Sequence, residues 1–331
     1  MNTTLLDRYS RQIMLPQVGL EGQQALNDAK VLVIGAGGLG VPVLQYLVGA
    51  GVGYIRLVDD DTIEISNLHR QPIYGAFVGQ PKVVAAQQLM QQLNPNVQVD
   101  ALVQTASPSQ LNTLLDGIDL VLDCADSHAV SYVLSDACHA KQLPLIVASA
   151  LGTNGYVGGF CGSAPSLRAV FPAPANTATC ATAGVLGPVP GMLGLLQAQM
   201  ALAYLLNISS QSHSTSPLGQ LICWDMRNWR FSGFRFDQAP EPSARIFAFI
   251  DRQQLTPRDW VIELRDAQEA PEPICPQAQR LRVDDLLTAP LHVTDQRLVL
   301  ACASGIRSWR AAEQLASRWS GDIALMAARL A

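Results

Sequence analysis

Between residues 30 and 126 the chain spaces its glycines, two cations and several carboxylates in a way that suits phosphate chemistry. Gly35, Gly37 and Gly40 stand in G-x-G-x-x-G order, with Gly38 among them, directly after the apolar run 31–34. Asp59 lies 19 residues past Gly40 and opens an Asp59-Asp60-Asp61 run at the end of YIRLVDDD. In such a unit one glycine makes a tight turn, one admits a phosphate and one lets helix and strand touch, while the acid meets a ribose hydroxyl. The phosphates would face the free N–H groups of the following helix. Beyond this unit come Arg70, which offers a bidentate fork, and Lys82, a point charge. Pro81 suits a first helical position, so Lys82 is expected in the first turn of a helix spanning 81–93. The helix dipole disfavours a cation there by about 0.3–1 kcal/mol. Only three lysines occur in the chain, against nineteen arginines. A scarce cation set against the local dipole argues for an anionic partner. A solvated surface lysine is the plain alternative, and Asn67 and Arg70 nearby weigh against it. Hydride transfer needs no cations beyond a helix terminus, whereas breaking ATP does, because charge builds on the departing pyrophosphate.

Elements that could position these groups follow in order. Val31–Ile34, YIRLVDDD (54–61), NVQVDALVQ (96–104), IDLVLDCADS (118–127) and LPLIVASA (143–150) read as strands that alternate with helical stretches, the pattern of a parallel sheet with ligands at the strands' C-terminal ends. Asp123 and Asp126 then fall on the ligand side. A carboxylate beside a triphosphate normally holds Mg²⁺, but Asp126 or Ser127 would equally serve as a helix N-cap. The residues alone leave that open. Residues 152–191 are rich in Gly, Ala, Pro and Thr, contain Cys180, and read as a long crossing loop. No charged residue occurs from Ala169 to Trp224, but Pro188 and Pro190 precede the apolar run there and Gln197 and Gln199 interrupt it. A helix buried in a globular domain is expected, not a membrane span. QLICWDMRNWRFSGFRF reads as two antiparallel strands and DQAPEPSAR as a linker.

The 331 residues leave room for about two domains. With 49% hydrophobic and 15% charged residues, a well-buried α/β core is expected. A net charge of −5 without a basic run argues against nucleic acid as a partner. Seven cysteines, an odd number with no C-x-x-C pair, together with no signal peptide, point to free thiols and a cytoplasmic location.

GAGGLG, LVDDD, SNLHRQ, VGQPKV and LVLDCADS together resemble the ThiF/MoeB/HesA adenylyltransferases, relatives of the ubiquitin-activating enzymes, over roughly residues 5–236. The resemblance implies a Rossmann-like, mostly parallel sheet with an ATP site. The implied activity is ATP-dependent adenylylation of the C-terminal glycine of a small ubiquitin-like sulfur carrier of the ThiS/MoaD type ending in Gly-Gly, in thiamin or molybdopterin synthesis. It implies a nucleotide site made of Gly35, Gly37, Gly38, Gly40, Asp59, Asp61, Asn67, Arg70, Gln71 and Lys82, with Mg²⁺ on Asp126. It also implies a homodimer in which Arg11, in the R-Y-x-R-Q motif, reaches the partner's ATP site. Cys180 matches a cysteine used for thioester or persulfide chemistry in some members; a buried, inert thiol is the other reading. Most sulfur-carrier-activating members hold zinc with two C-x-x-C pairs. The corresponding segments, PSLRAVF (165–171) and DQAPEPS (237–243), contain no cysteine. A closed site needs four thiolates, so no structural zinc is expected.

Three units are expected: 1–236, a linker at 237–245, and a small α/β unit at 246–331. In the last, CASGIRS puts Cys302 at a strand end before a helix N-terminus, where N–H groups stabilise an anionic sulfur. Arg307 would add a cation. This resembles the C-x-x-G-x-R active loop of rhodaneses, with WVIELRDAQE as that domain's early strand; Ala303 and the short C-terminal end depart from it. Sulfur transfer through Cys302, fed by a donor such as a cysteine desulfurase, would follow. Two other readings compete: an NAD-dependent oxidoreductase, which leaves Arg70 and Lys82 idle, and a non-catalytic carrier-binding scaffold.

Overall fold

A computed structural model describes residues 3–174, 184–207, 215–243, 245–288 and 296–330. Its larger sheet has eight strands: β1 (Lys30–Ile34), β2 (Tyr54–Val58), β3 (Gln98–Leu102), β4 (Leu120–Asp123), β5 (Leu145–Leu151), β6 (Asn154–Phe160), β7 (Gln220–Asp225) and β8 (Arg230–Arg235). Their order is β3-β2-β1-β4-β5-β6-β7-β8. The five strands β1 to β5 run parallel, and β6, β7 and β8 continue antiparallel. β1 and β4 are apolar nearly throughout because helices cover both faces of a parallel sheet. The chain leaves β1 toward β2 on one side and returns to β4 on the other. That reversal opens a crevice at the C-terminal ends of β1 and β4.

Helices α1 (Thr3–Ile13) and α2 (Gly19–Asp28) precede the sheet, and α3 (Gly40–Ala50), α4 (Lys82–Leu93), α5 (Leu111–Leu114), α6 (His128–Lys141) and α7 (Leu167–Val170) connect its strands. The long apolar run becomes α8 (Pro188–Leu205), lodged under the sheet against α3. Gly194 lets them meet, since a Cβ there would lie 2.4 Å from Leu39 O. Gln197, one of the residues that broke the membrane-like pattern, is buried: its Nε2 donates to Asp123 O and Ile146 O, and its Oε1 accepts from Cys124 Sγ. No helix among the described residues is long and apolar enough to cross a membrane.

The expected crossing loop is in part a strand. β6 occupies Asn154–Phe160, and its glycines are there for contact rather than for a turn. A Cβ would lie 2.2 Å from Leu193 Cδ1 at Gly155, 2.7 Å from Leu221 Cδ1 at Gly158 and 2.4 Å from Pro217 O at Gly159. Composition misled because close packing and turns call for the same residue.

The smaller sheet contains β9 (Ala248–Phe249), β10 (Trp260–Glu263), β11 (Gln279–Arg280), β12 (Leu298–Cys302) and β13 (Ile323–Ala327), all parallel, in the order β11-β10-β12-β13-β9. Helix α9 (Val283–Thr288) flanks it, and α10 (Ile306–Leu315) packs on β12 and β13. This unit does not hang free. The Trp309 ring of α10 lies 5.0 Å from that of Tyr132 of α6, tilted by 35°, and the Arg168 guanidinium lies 4.8 Å from the Tyr132 ring and 5.1 Å from Trp309. Arg168 is held there by a fork to Asp136. Asp251 Oδ2 reaches back to accept from Ser109 N at 2.7 Å. The docked faces share one apolar core.

Candidate active site

The glycine turn after β1 is fastened from below and open above. Gly35 takes φ +100°, and a Cβ there would lie 2.7 Å from Cys124 O; a Cβ on Gly40 would lie 2.0 Å from Gly35 O. Neither position tolerates a side chain. At Gly37 the nearest neighbour of a Cβ would be Gln71 Nε2, at 3.5 Å. At Gly38 it would meet Pro190 at 3.1 Å and Arg70 Cγ at 3.5 Å. The turn is pinned by Gly35 N donating to Val58 O, Ala36 N donating to Asp59 Oδ2 at 2.7 Å, and the Tyr74 hydroxyl donating to Ala36 O at 2.9 Å. Nothing in the sequence singled out Tyr74.

Asp59 thus has a loop-building job. Its other oxygen accepts from Asp61 N, and burial raises its pKa even though Lys82 and these N–H groups pull it down. A ribose hydroxyl would share oxygens already in use. Lys82 is the first residue of α4, with Pro81 as N-cap rather than first helical residue. It is 5% exposed, not a solvated surface lysine, and Nζ lies 2.7 Å from Asp61 Oδ2. That carboxylate answers the unfavourable helix dipole. The carboxylates of Asp59, Asp60 and Asp61 also converge, with one oxygen of each within 4.8 Å of the others, as a metal site would require.

Asn67, Arg70 and Gln71 form the wall beside the turn. Asn67 is buried, and Oδ1 accepts from Glu64 N at 3.2 Å, so it braces its own segment. Arg70 is half-buried, with Nη1 on Ser66 O and beside His69 Nε2. Gln71 is 1% exposed, its Nε2 faces Gly37, and its Oε1 has no partner. An unpaired buried amide oxygen beside an open glycine turn fits a site built for a polar ligand that brings a donor, such as a nucleoside hydroxyl or amine.

Across the crevice, Asp123 ends β4 fully buried. Oδ1 accepts from Ala125 N, Oδ2 has no partner, and burial pushes its pKa up to about 7. Asp126 is exposed. The N-cap of α6 is Ser127, so the capping alternative for Asp126 falls away. Its Oδ1 instead faces Arg329 Nη1 at 3.1 Å. Arg11 is exposed on α1, where its neighbour Gln12 donates to Ala50 O at the end of α3 remote from the glycine turn. About 15 Å of helix separates that end of α3 from the glycine turn. Cys180 lies outside the described residues.

Cys302 ends β12 at 1% exposure. Sγ accepts from Gly305 N at 3.1 Å and Ser308 N at 3.4 Å and lies 3.5 Å from Ser308 Oγ. Two N–H groups at the start of α10 thus converge on the sulfur. Arg307 is paired with a carboxylate. Its guanidinium donates to Leu264 O and forks onto Glu269 at 2.9 and 3.0 Å, which raises its pKa. It braces the loop through Glu269 and also lies within electrostatic reach of Cys302, which adds to the upward shift.

The two segments expected to lack zinc ligands do meet. Ser166 N and Oγ donate to Glu241 Oε1 and Oε2 at 2.7 and 2.6 Å, so a carboxylate joins residues 165–171 to the supposed linker.

A family model described as the ThiF family matches residues 9–244. A "sulfur carrier protein adenylyltransferase" of Thermus thermophilus is 42% identical over 231 residues, 66% of this chain and 83% of that one. An "adenylyltransferase and sulfurtransferase UBA4" of Yarrowia lipolytica is 43% identical over 214 residues, 62% of this chain and 53% of that one. The chain spans about half the length of several curated relatives it matches. Among solved structures, E. coli MccB with ATP is 21% identical with a TM-score of 0.61, covering 71% of this chain and 73% of that one, which shows a common fold.

Proposed function

The chain belongs to the ThiF family, and from that premise we propose that it adenylylates the C-terminal carboxylate of a small ubiquitin-like sulfur carrier protein. The observation that carries this reading is the glycine turn left open at Gly37, walled by Arg70 and by Gln71 with its unpaired oxygen. ATP would lay its phosphates against the N–H groups at the start of α3. A carboxylate oxygen of the carrier then attacks the α-phosphorus, the bond to the β-phosphate breaks, and pyrophosphate leaves with the electron pair. Arg70 and Lys82 oppose the charge that develops on it. Asp126 would hold Mg²⁺, which offsets polyphosphate charge when bound. Arg11, exposed on α1, serves the partner's site in a two-fold dimer.

Sulfur transfer is the second half of the proposal. A persulfide on Cys302, charged by a sulfur donor such as a cysteine desulfurase, attacks the acyl-adenylate. The C–S bond forms, the C–O bond to AMP breaks, and AMP leaves, so that the carrier is held as an acyl disulfide. The N–H groups of Gly305 and Ser308 support an anionic sulfur there.

Carrier-dependent ATP–pyrophosphate exchange tests the first half. Lys82→Ala should slow exchange by about 10²–10³-fold, and an undiminished rate overturns the assignment. Arg11→Ala should also slow it. Mixing the two variants should restore part of the rate, because one of the two sites in a mixed dimer is intact; no recovery refutes site sharing.

A further inference from the structure

Asp126, assigned above to magnesium, already faces a cation, and that cation belongs to the other unit. Arg329 is 203 residues away in sequence, yet Nη1 lies 3.1 Å from Asp126 Oδ1. Both side chains are accessible, Arg329 65% and Asp126 56% exposed. Arg329 follows β13 in the single turn Ala328–Leu330, anchored by the buried Leu330. Two residues earlier Ala327 pairs with Cys302 across the β12–β13 register. On the facing side, α6 begins two residues after Asp126. Its Ala129 stands against the cysteine loop, since a Cβ on Gly305 would lie 3.5 Å from Ala129 Cβ. Asp126–Arg329 and Ala129–Gly305 are therefore neighbouring stitches of one seam, and Cys302 lies beneath it at 1% exposure.

We propose that Arg329 and Mg²⁺·ATP compete for Asp126, so that loading the nucleotide site loosens this seam and makes the Cys302 sulfur reachable. The proposal rests on the adenylylation reading. A small divalent cation takes a carboxylate oxygen at about 2.1 Å, and a guanidinium cannot share that oxygen closely without like-charge repulsion. Linkage then runs both ways: whatever Mg²⁺·ATP does to the seam, the seam does to Mg²⁺·ATP affinity by the same factor. Because the pair is exposed on both sides, the coupling is modest, about two- to fivefold. Its chemical use is timing, because a persulfide stays covered until an acyl-adenylate can form.

The full chain is treated with iodoacetamide, and Cys302 alkylation is followed by peptide mass spectrometry, which separates it from the other thiols. Mg²⁺·ATP should speed Cys302 labelling about two- to fivefold, and ATP with EDTA should not. Arg329→Ala should label at the faster rate without nucleotide, ignore Mg²⁺·ATP, and bind it more tightly by the same factor in calorimetry. Arg329→Lys should retain the coupling. If wild-type protein binds Mg²⁺·ATP and Cys302 labelling does not change, the proposal is overturned and adenylylation stands. If Mg²⁺·ATP does not bind at all, the adenylylation reading falls; wild-type labelling rates in Arg329→Ala would overturn the seam itself.

Discussion

The turn after β1 and the turn after β12 are built alike: a buried parallel strand, a glycine at positive φ, and a helix whose first N–H groups point back at the strand's end. Gly35 takes φ +100° and Gly305 φ +86°. They differ in where those N–H groups go. At Cys302 the chain supplies the acceptor, and Gly305 N and Ser308 N are already on Sγ. The turn can therefore be buried, with Phe249 packed so close that a Cβ on Gly305 would lie 2.5 Å from its ring. After β1 no side chain fills the position, and burial would orphan the N–H groups. That turn stays open, held from behind by Asp59 and Tyr74. One plan thus yields a site that waits for a ligand and a site that carries its own.

Glycine replacements separate these cases, and the largest effect belongs to Gly40→Ala. Its methyl would lie 2.0 Å from Gly35 O, backbone against backbone, so the turn must move. Nucleotide affinity should fall more than about 100-fold, with a drop in thermal stability. Gly37→Ala meets only Gln71 Nε2, at ordinary contact distance. It should leave the melting temperature unchanged and still weaken ATP, since the methyl fills the space where a phosphate approaches the backbone. Gly305→Ala should do the reverse, costing stability and sparing ATP. Calorimetric ATP titrations beside thermal melts would decide. A Gly37→Ala protein that melts early yet binds ATP normally would show that the first turn is not the open one.

Each turn also stands on a buried carboxylate, and the two are shifted in opposite directions. Asp123, paired in register with Ile34, is driven up to about 7 by burial. Glu263 is also penalised by burial, but the Arg265 fork and the Ile274 N–H outweigh that and hold its pKa below the ordinary value. A carboxyl raised on folding contributes stability below its unfolded pKa of about 3.9, lost as pH climbs toward about 7. One lowered on folding contributes stability above its unfolded pKa, lost as pH falls through the folded one. Denaturant melts from pH 4 to 7 should show Asp123→Asn gaining on wild type by up to about 1.4 kcal/mol per pH unit. Glu263→Gln should lose most at pH 7 and least in acid. A pH-independent difference for Asp123→Asn would mean that this carboxyl is already ionised in the folded protein.

How legible the two turns were follows from how local their causes are. The β1 turn, its flanking strands and α4 are written in runs of neighbouring residues, and the structure places them where periodicity and glycine spacing put them. Cys302 before α10 was legible for the same reason. What escaped depends on distant partners. Lys82 stood out in the sequence as a cation for an anionic partner, but its pairing with Asp61, 21 residues earlier, did not, nor did the fork of Arg307 onto Glu269, 38 residues away. No local pattern marks Arg329 or Tyr74. The β6 glycines misled, since their reason is the bulk of Leu193 and Leu221. Gln197 was the visible exception: an amide inside an uncharged helix had to be bonded to something.

The smallest expected effect tests whether the two turns are supported independently. Glu241 sits in the segment between the units, and both carboxylate oxygens accept from Ser166, which is buried. Glu241→Ala leaves an N–H and a hydroxyl without their acceptor. Such a loss costs about 1–3 kcal/mol, and water reaching the partly exposed carboxylate position keeps it near the lower bound. Glu241→Gln retains an acceptor and should cost less. The clasp lies beside Arg168, whose guanidinium packs on Trp309 of α10, so loosening it acts on the docked unit and thereby on the closed turn. The open turn is pinned from β2, by Asp59, and by Tyr74, none of which the clasp touches. Glu241→Ala should therefore speed Cys302 alkylation and lower the melting temperature by a few degrees without weakening ATP. Weakened ATP binding with Cys302 as slow as in wild type would show that the clasp supports the open turn instead, and the division between a self-filled site and a waiting one would have to be redrawn.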